Sequence, residues 1–480
     1  MKRLVIPIEP DLINKYDLKG PYYTSYPTGK VWAETFNSLA YSDALQALAQ
    51  EPEITPLALY FHIPFCVRLC RFCFCYTTVT SQSEKIDSFL DALFQEIQLL
   101  RKFLDTSGQH MEIREIHLGG GSPSCLTDKQ FARLMTQINS IVNPARLAEF
   151  TMEIDAITVT PDKLRFFHEA GITRLSFGIQ DFDPRVQKAI GRVQSPQLLA
   201  DLLDLGIRTL FRSINFDLMY GLPLQTHESF RETLAMVIGL APDRLAIYSY
   251  FHQPEVYKHQ AFIAVEDLPG VLENTRIFVE AVETLTASGY ESIGIDHFAR
   301  PEDDLTQAKY NRTLGRHFMG YTAGRTPHLI GLGPSSLSGF CQYYAQNVYA
   351  HDEYCATLAQ GSWPILRGYC LSANDVVRRD VINEILCYFE WDLAAFARHY
   401  QLDIHVYFRE ELKRLKPLAD DGIIEWIGDK MRLTPRGWLF ARQVSSIFDS
   451  YLSSENRGAY TPVIQRSSTS DYLRLGVNMD

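Results

Sequence analysis

No apolar run in this 480-residue sequence approaches the ~20 residues that a helix needs to cross a bilayer, so a membrane-spanning protein is not expected. The start, Met1-Lys2-Arg3 and a short apolar patch closed by Glu9, lacks the long h-region and small-residue cleavage site of a secretory signal. Cations are in deficit: 46 Lys+Arg stand against 57 Asp+Glu, a net charge of −11. That balance argues against nucleic-acid partners and against anionic membrane surfaces, and an anionic substrate would need a locally basic pocket. Cysteine does not come in a disulfide-like set either. Nine residues, an odd number without a secretory signal, point to reduced thiols and a cytoplasmic location. What is present is an ordinary globular composition, 46% hydrophobic and 21% charged, which excludes wholesale disorder and suits two or three domains.

Four cysteines fall within ten residues: Cys66, Cys70, Cys73 and Cys75. Three thiolates on one tight loop, spaced Cys-x3-Cys-x2-Cys, can hold three irons of a [4Fe-4S] cube and leave the fourth iron without a protein ligand. Open coordination is what a catalytic metal requires. Zinc is the competing metal, but its sites usually pair two separated ligand couples, and no second Cys/His pair stands at a typical distance.

Along the chain, six β-like runs alternate with amphipathic stretches. The predicted strands are Leu57–Ile63, Ile113–Leu118, Phe150–Ile154, Arg174–Ile179, Ser213–Leu218 and Arg244–Tyr250. The predicted helices are Ser83–Phe103, Thr127–Ile141, Pro161–Ala170, Pro184–Leu205, Glu228–Leu240 and Leu272–Ser288. This alternation predicts an α/β fold, a partial (β/α)6 TIM-like barrel with a parallel sheet. Reactive groups should then gather at the carboxyl ends of the strands. The sequence agrees: the cysteine loop follows the first strand, Gly119-Gly120-Gly121-Ser122-Pro123 the second, and Glu153, Gln180 and Asp217 end the next three.

Five segments are expected. They are an N-terminal arm and helix (1–50), the barrel core (51–290), a barrel extension with active-site loops packed over the mouth (291–370), a mainly helical C-terminal domain (371–453) and a polar tail (454–480). In the C-terminal domain, Ser372-x-x-Asp375 resembles a capping box, and helices followed by a hairpin around Gly428-Asp429 suggest a winged-helix-like unit. It carries no basic recognition helix, so docking or a lid suits it better than DNA binding.

The motif Tyr60-Phe61-His62-Ile63-Pro64-Phe65-Cys66, the cysteines after it and the Gly-Gly-Gly-Ser-Pro loop resemble the radical S-adenosylmethionine enzymes. Within them, the arm Tyr23-Thr24-Ser25-Tyr26-Pro27-Thr28, Tyr220-Gly221-Leu222-Pro223 and Asp296-His297-Phe298-Ala299-Arg300-Pro301 are similar to the oxygen-independent coproporphyrinogen III oxidase family. The resemblance implies oxidative decarboxylation of two propionates of coproporphyrinogen III to give protoporphyrinogen IX in haem biosynthesis, through a 5′-deoxyadenosyl radical. It implies a [4Fe-4S] cluster on Cys66, Cys70 and Cys73 and one or two molecules of S-adenosyl-L-methionine. Tyr60, Gly120, Glu153 and Leu337 would meet the first; Phe72, Gly121, Ser122, Gln180, Arg192 and Asp217 would meet the second. Tyr22, Tyr23, Tyr26 and Arg300 would face the tetrapyrrole. A monomer served by a flavodoxin- or ferredoxin-type electron carrier is the family expectation. Against the family pattern, Tyr22 replaces an arginine, Met319 a glutamine and Phe251 an alanine. Those replacements keep two alternatives in view, a paralogous radical enzyme acting on another tetrapyrrole and a cluster-containing haem-trafficking protein.

Overall fold

A computed structural model describes residues 5–16, 20–51, 55–107, 111–324 and 326–452. The tail expected over 454–480 lies outside the described residues. Twelve strands form one sheet: β1 (Thr55–Ile63), β2 (Met111–Gly120), β3 (Glu149–Ile154), β4 (Arg174–Gln180), β5 (Ser213–Tyr220), β6 (Arg244–Ser249), β7 (Glu291–Ile293), β8 (His297–Ala299), β9 (His328–Leu332), β10 (Leu337–Phe340), β11 (Tyr343–Asn347) and β12 (Ile365–Cys370). Their order across the sheet is β12-β11-β10-β9-β1-β2-β3-β4-β5-β6-β8-β7.

Strands β1 to β6 pair in parallel, each with the next, as the strand–helix alternation predicts. They are buried on both faces, and β4 is almost wholly buried, so they read as near-continuous apolar runs. The helices between them bury one stripe each. On α1 (Ser83–Thr106) that stripe is Ile86, Phe89, Leu90, Leu93, Ile97 and Leu100, at helical spacing.

Two expectations are corrected. Residues 291–370 are not only loops over the mouth: they contribute strands β7 to β12. Strand β9 adds to the other side of β1, again parallel, and β10 to β12 continue antiparallel from it. The helix expected over Pro184–Leu205 is broken into Pro184–Ile190, Pro196–Leu202 and Leu205–Arg208. Gly191 takes the left-handed conformation (φ +69°) that caps the first piece, and Ser195 with Pro196 opens the second. The break matters because it delivers Arg192 to the carboxyl ends of the strands.

The C-terminal unit has the capping box at Ser372 and Asp375. Its helices are followed by the hairpin Ile424–Ile427/Lys430–Leu433, to which Glu390–Asp392 adds a third strand. It does not pack alone. Ile13, Tyr23 and Tyr26 of the arm share its core with Trp391, Phe408 and Phe448.

Candidate active site

A cavity of about 580 Å³ opens at the carboxyl ends of the parallel strands, within the size range of small-molecule sites. Its wall includes Cys66, Cys70 and Cys73, and with them Tyr60, Phe72, Gly120, Gly121, Ser122, Glu153, Gln180, Arg192, Asp217 and Leu337. Every residue singled out above for cluster or cofactor therefore faces one space. Of the four substrate candidates, only Tyr22 does.

The glycine loop is shaped by close approach. Gly120 sits at φ +109°, and a Cβ there would lie 2.5 Å from the His62 ring; at Gly121 it would lie 2.7 Å from the Phe65 carbonyl oxygen. Only hydrogen fits at these positions. The loop is tied to the cysteine loop by backbone bonds, Gly121 N–H to the Ile63 carbonyl (2.9 Å) and Ser122 N–H to the Phe65 carbonyl (2.7 Å).

Glu153 is aimed by two donors. The Gly120 N–H meets its Oε2 at 3.0 Å, and His117 Nε2 lies 3.0 Å from its Oε1. His62 accepts from the Tyr60 hydroxyl at Nδ1 (3.1 Å) while its Nε2 donates to the Tyr76 carbonyl (2.9 Å), and burial keeps this imidazole neutral by lowering its pKa. Deeper in the barrel, Ser176 and Asn215 donate to the two oxygens of Asp217 at 2.8 and 2.9 Å. Burial pushes that carboxyl above its ordinary range, against those two bonds. Asp217 stands three residues before the end of β5 rather than closing it.

Arg192 donates to the Gly178 carbonyl (3.0 Å), pairs with Asp155 (3.3 Å) and places a guanidinium nitrogen 3.7 Å from the Cys70 sulfur. Burial pushes the Cys66 and Cys70 thiols up; at Cys70 the Arg192 charge opposes it. Cys75, also on the cavity wall, bonds to Cys73, which lowers the Cys73 thiol. The three-cysteine loop, facing a cavity lined by the glycine cradle, suits a cluster that presents a separate iron to each sulfur. A further sign of an incomplete partner set is the buried Gln180 Oε1, which has no hydrogen-bond partner among the described residues.

Three substrate candidates, Tyr23, Tyr26 and Arg300, do not line the cavity. Tyr23 turns into the C-terminal core at φ +46°, where its hydroxyl donates to Asp449 (3.0 Å). Tyr26 is buried beside it and meets Ser450 Oγ at 3.0 Å. Arg300 follows β8, which runs antiparallel to β6 and ends against Arg244 at the amino end of the barrel, opposite the cavity mouth. Its guanidinium covers the Tyr290 ring at 4.1 Å. Several cavity residues were given no site role by the sequence, although Asp296 and His297 belong to a motif quoted above. Tyr248 and Ser249 end β6, and Asp296, His297 and Arg316 come from the barrel extension. Asp296 bonds to His297 at 2.6 Å; burial pushes this carboxyl up, but His297, Arg316 and Arg442 outweigh it and hold it low.

Residues 60–237 match the Radical SAM superfamily profile, and residues 371–440 match the HemN C-terminal domain. The chain is 40% identical over 446 residues to the oxygen-independent coproporphyrinogen III oxidase of Escherichia coli (strain K12), covering 93% of this chain and 96% of that one. It is 36% identical over 457 residues to the protein of the same description from Pseudomonas aeruginosa, covering 95% and 98%. Among solved structures, the coproporphyrinogen III oxidase (HemN) from Escherichia coli superposes with a TM-score of 0.85 at 38% identity, covering 93% of this chain and 100% of that one. With a cysteine tripod and glycine cradle on one cavity and relatives matched nearly end to end, this chain belongs to the oxygen-independent coproporphyrinogen III oxidase family of radical S-adenosylmethionine proteins.

Proposed function

We propose that the protein converts coproporphyrinogen III to protoporphyrinogen IX by oxygen-independent oxidative decarboxylation. At each of two propionates, –CH2–CH2–COO⁻ becomes –CH=CH2 with release of CO2, one proton and two electrons. The observation that carries this reading is the single cavity whose wall combines the three-cysteine loop, the glycine loop and Tyr22 of the arm.

When bound, the [4Fe-4S] cluster and S-adenosyl-L-methionine supply the radical chemistry that removes hydrogen from the propionate. Cys66, Cys70 and Cys73 would hold the cluster and leave one iron open. The glycines allow backbone to approach the methionyl part of the cofactor, and Glu153, already fixed by two donors, offers acceptor oxygens. Gln180, Arg192 and Asp217 would serve a second cofactor molecule in the same space. Arg316, beside Asp296 and His297, supplies the local cation that a carboxylate substrate needs in a chain of net charge −11. Tyr22 closes the far wall: its hydroxyl accepts from the Ser249 N–H (3.1 Å), its ring meets Phe251 edge-on at 5.5 Å, and Arg442 covers its other side at 4.5 Å. The Tyr22 and Phe251 rings present an apolar face that limits water at the reacting groups.

The test is a single anaerobic assay. Reconstituted protein with a reductant should consume S-adenosyl-L-methionine and release CO2 as the divinyl product forms. Cofactor cleavage without CO2 release from coproporphyrinogen III would reject this substrate.

A further inference from the structure

Five arginines line the cavity: Arg68, Arg174, Arg192, Arg244 and Arg316. Four of them are already matched to carboxylates. Arg68 and Arg192 share Asp155 (3.5 and 3.3 Å), Arg174 meets Glu149 (2.8 Å) and Asp304 (2.7 Å), and Arg244 meets Asp303 (2.8 Å). Arg316 forms no ion pair among the described residues. Its Nη1 donates to the Tyr23 carbonyl, and its buried Nε has no hydrogen-bond partner among the described residues.

A second open group stands beside it. The hairpin Gly315–His317/Gly320–Thr322 sets Arg316 opposite Tyr321. The guanidinium lies 5.5 Å from the Tyr321 ring centroid, and the His297 ring meets the same ring edge-on at 5.1 Å. Asp296 occupies His297 Nδ1 at 2.6 Å, which leaves Nε2 for a ligand. Gly320 (φ +98°) keeps that nitrogen uncovered, since a Cβ there would stand 3.2 Å from it. A carboxylate is the ligand that suits an uncommitted guanidinium and an imidazole together. Which carboxylate follows from the chemistry. A propionate that departs as neutral CO2 gives up its charge on the way, so a cation bound to it stabilises the starting state more than the transition state. A propionate that survives keeps its charge throughout, and the same contact then costs the reaction nothing.

We infer that Arg316 and His297 anchor a propionate of the tetrapyrrole that is not decarboxylated, one of the two carried through to the product. The inference rests on the function proposed above, which supplies both kinds of propionate. No covalent bond of the anchored group changes. With Asp296 on Nδ1 and the carboxylate on Nε2, the His297 ring bridges two anions as an imidazolium and takes its second proton from solvent. Fixing one corner of the macrocycle sets its orientation, and so selects which side chains can reach the cofactor.

The product is the telling probe, because protoporphyrinogen IX keeps the surviving propionates and lacks the reactive ones. Equilibrium binding is measured anaerobically on reconstituted protein with S-adenosyl-L-methionine and no reductant, so that nothing turns over. His297→Gln and Arg316→Gln should each weaken coproporphyrinogen III and protoporphyrinogen IX alike, by about tenfold. Arg316→Lys, which keeps the charge, should recover part of the loss. The dimethyl ester of protoporphyrinogen IX should bind wild type and variants equally. A loss confined to coproporphyrinogen III would mean that the pair holds a reacting propionate, and a loss that persists with the diester in both variants would mean a merely structural role. Either result overturns the inference, as does a wild type that fails to bind the product. Turnover separates the two proposals. Wild-type decarboxylation with unaltered product binding in the variants sinks the anchor alone, whereas product binding that depends on Arg316 and His297 without CO2 release leaves the anchor and sinks the proposed function.

Discussion

At the cofactor end of the cavity, Cys66, Cys70 and Cys73 sit on one loop, and Gly121 and Ser122 bond to the residues leading into it through backbone atoms. At the opposite end, Tyr22 meets a backbone donor 227 residues away and is flanked by Phe251 and Arg442. The first end is made of short motifs whose geometry follows from local chain constraints, such as a left-handed glycine or a three-residue ligand spacing. The second exists only because the arm is gripped by the C-terminal unit, where Tyr23 and Tyr26 are buried. The function proposed above places the chemistry at the local end and substrate selection at the assembled one. A change at the first should abolish the reaction, whereas a change at the second should retune it.

The largest effect is expected from Cys70→Ala. Iron and sulfide content should fall sharply on reconstitution, and decarboxylation should drop by at least ~10³-fold, because the cluster carries the hard chemistry. Normal iron loading in this variant would break the assignment of the cofactor end.

Gly120→Ala comes next. The left-handed φ and the 2.5 Å approach to His62 leave no room for a methyl group. A cost of about 1–3 kcal/mol is expected, read as roughly 5- to 150-fold weaker equilibrium binding of S-adenosyl-L-methionine to the reconstituted protein.

Tyr22→Phe sharpens the comparison from the other side. It removes the acceptor of the Ser249 N–H but keeps the ring contact with Phe251. The loss of about 1 kcal/mol should raise KM for coproporphyrinogen III severalfold with cofactor binding unchanged. A parallel loss of cofactor affinity would show that the two ends are not separable.

The smallest effect concerns Glu96, which pins the loop before Leu337. Its carboxylate accepts from Gly333 N–H (2.7 Å), Asn347 (2.7 Å) and the Tyr354 hydroxyl (2.5 Å), and burial raises its pKa from about 4.5 to about 7. The folded state therefore holds this proton where the unfolded chain has released it. The stability so gained is fully present below pH about 4.5 and is lost as pH rises through about 7. Denaturant unfolding between pH 5 and 8 should show Glu96→Gln gaining stability relative to the wild type as pH rises. Glu115, raised to about 7 mainly by burial, is present in both proteins and drops out of that difference.

How much was legible followed the range of the forces involved. The six parallel strands were readable because burial on both faces writes them as apolar runs, and turn chemistry marks their ends. The break at Gly191 was not, since helical periodicity continues across it and only the left-handed residue interrupts the hydrogen bonds. Strands β7 to β12 were missed for a related reason. They are three to six residues long, and what makes them strands is an edge to pair with, first offered by β1 and β6.

The ligand spacing, the glycine cradle and the order of strand and helix were determined by the sequence alone, because each depends on steric and hydrogen-bonding demands within a few residues. Only the tertiary structure decided which tyrosine of the arm faces the cavity. Tyr22 is drawn out by Ser249 and Arg442, Tyr23 is drawn in by Asp449, and Arg300 is carried to the wrong end by an antiparallel strand. Those partners are distant along the chain, and no local pattern encodes a contact that exists only once both sides have folded.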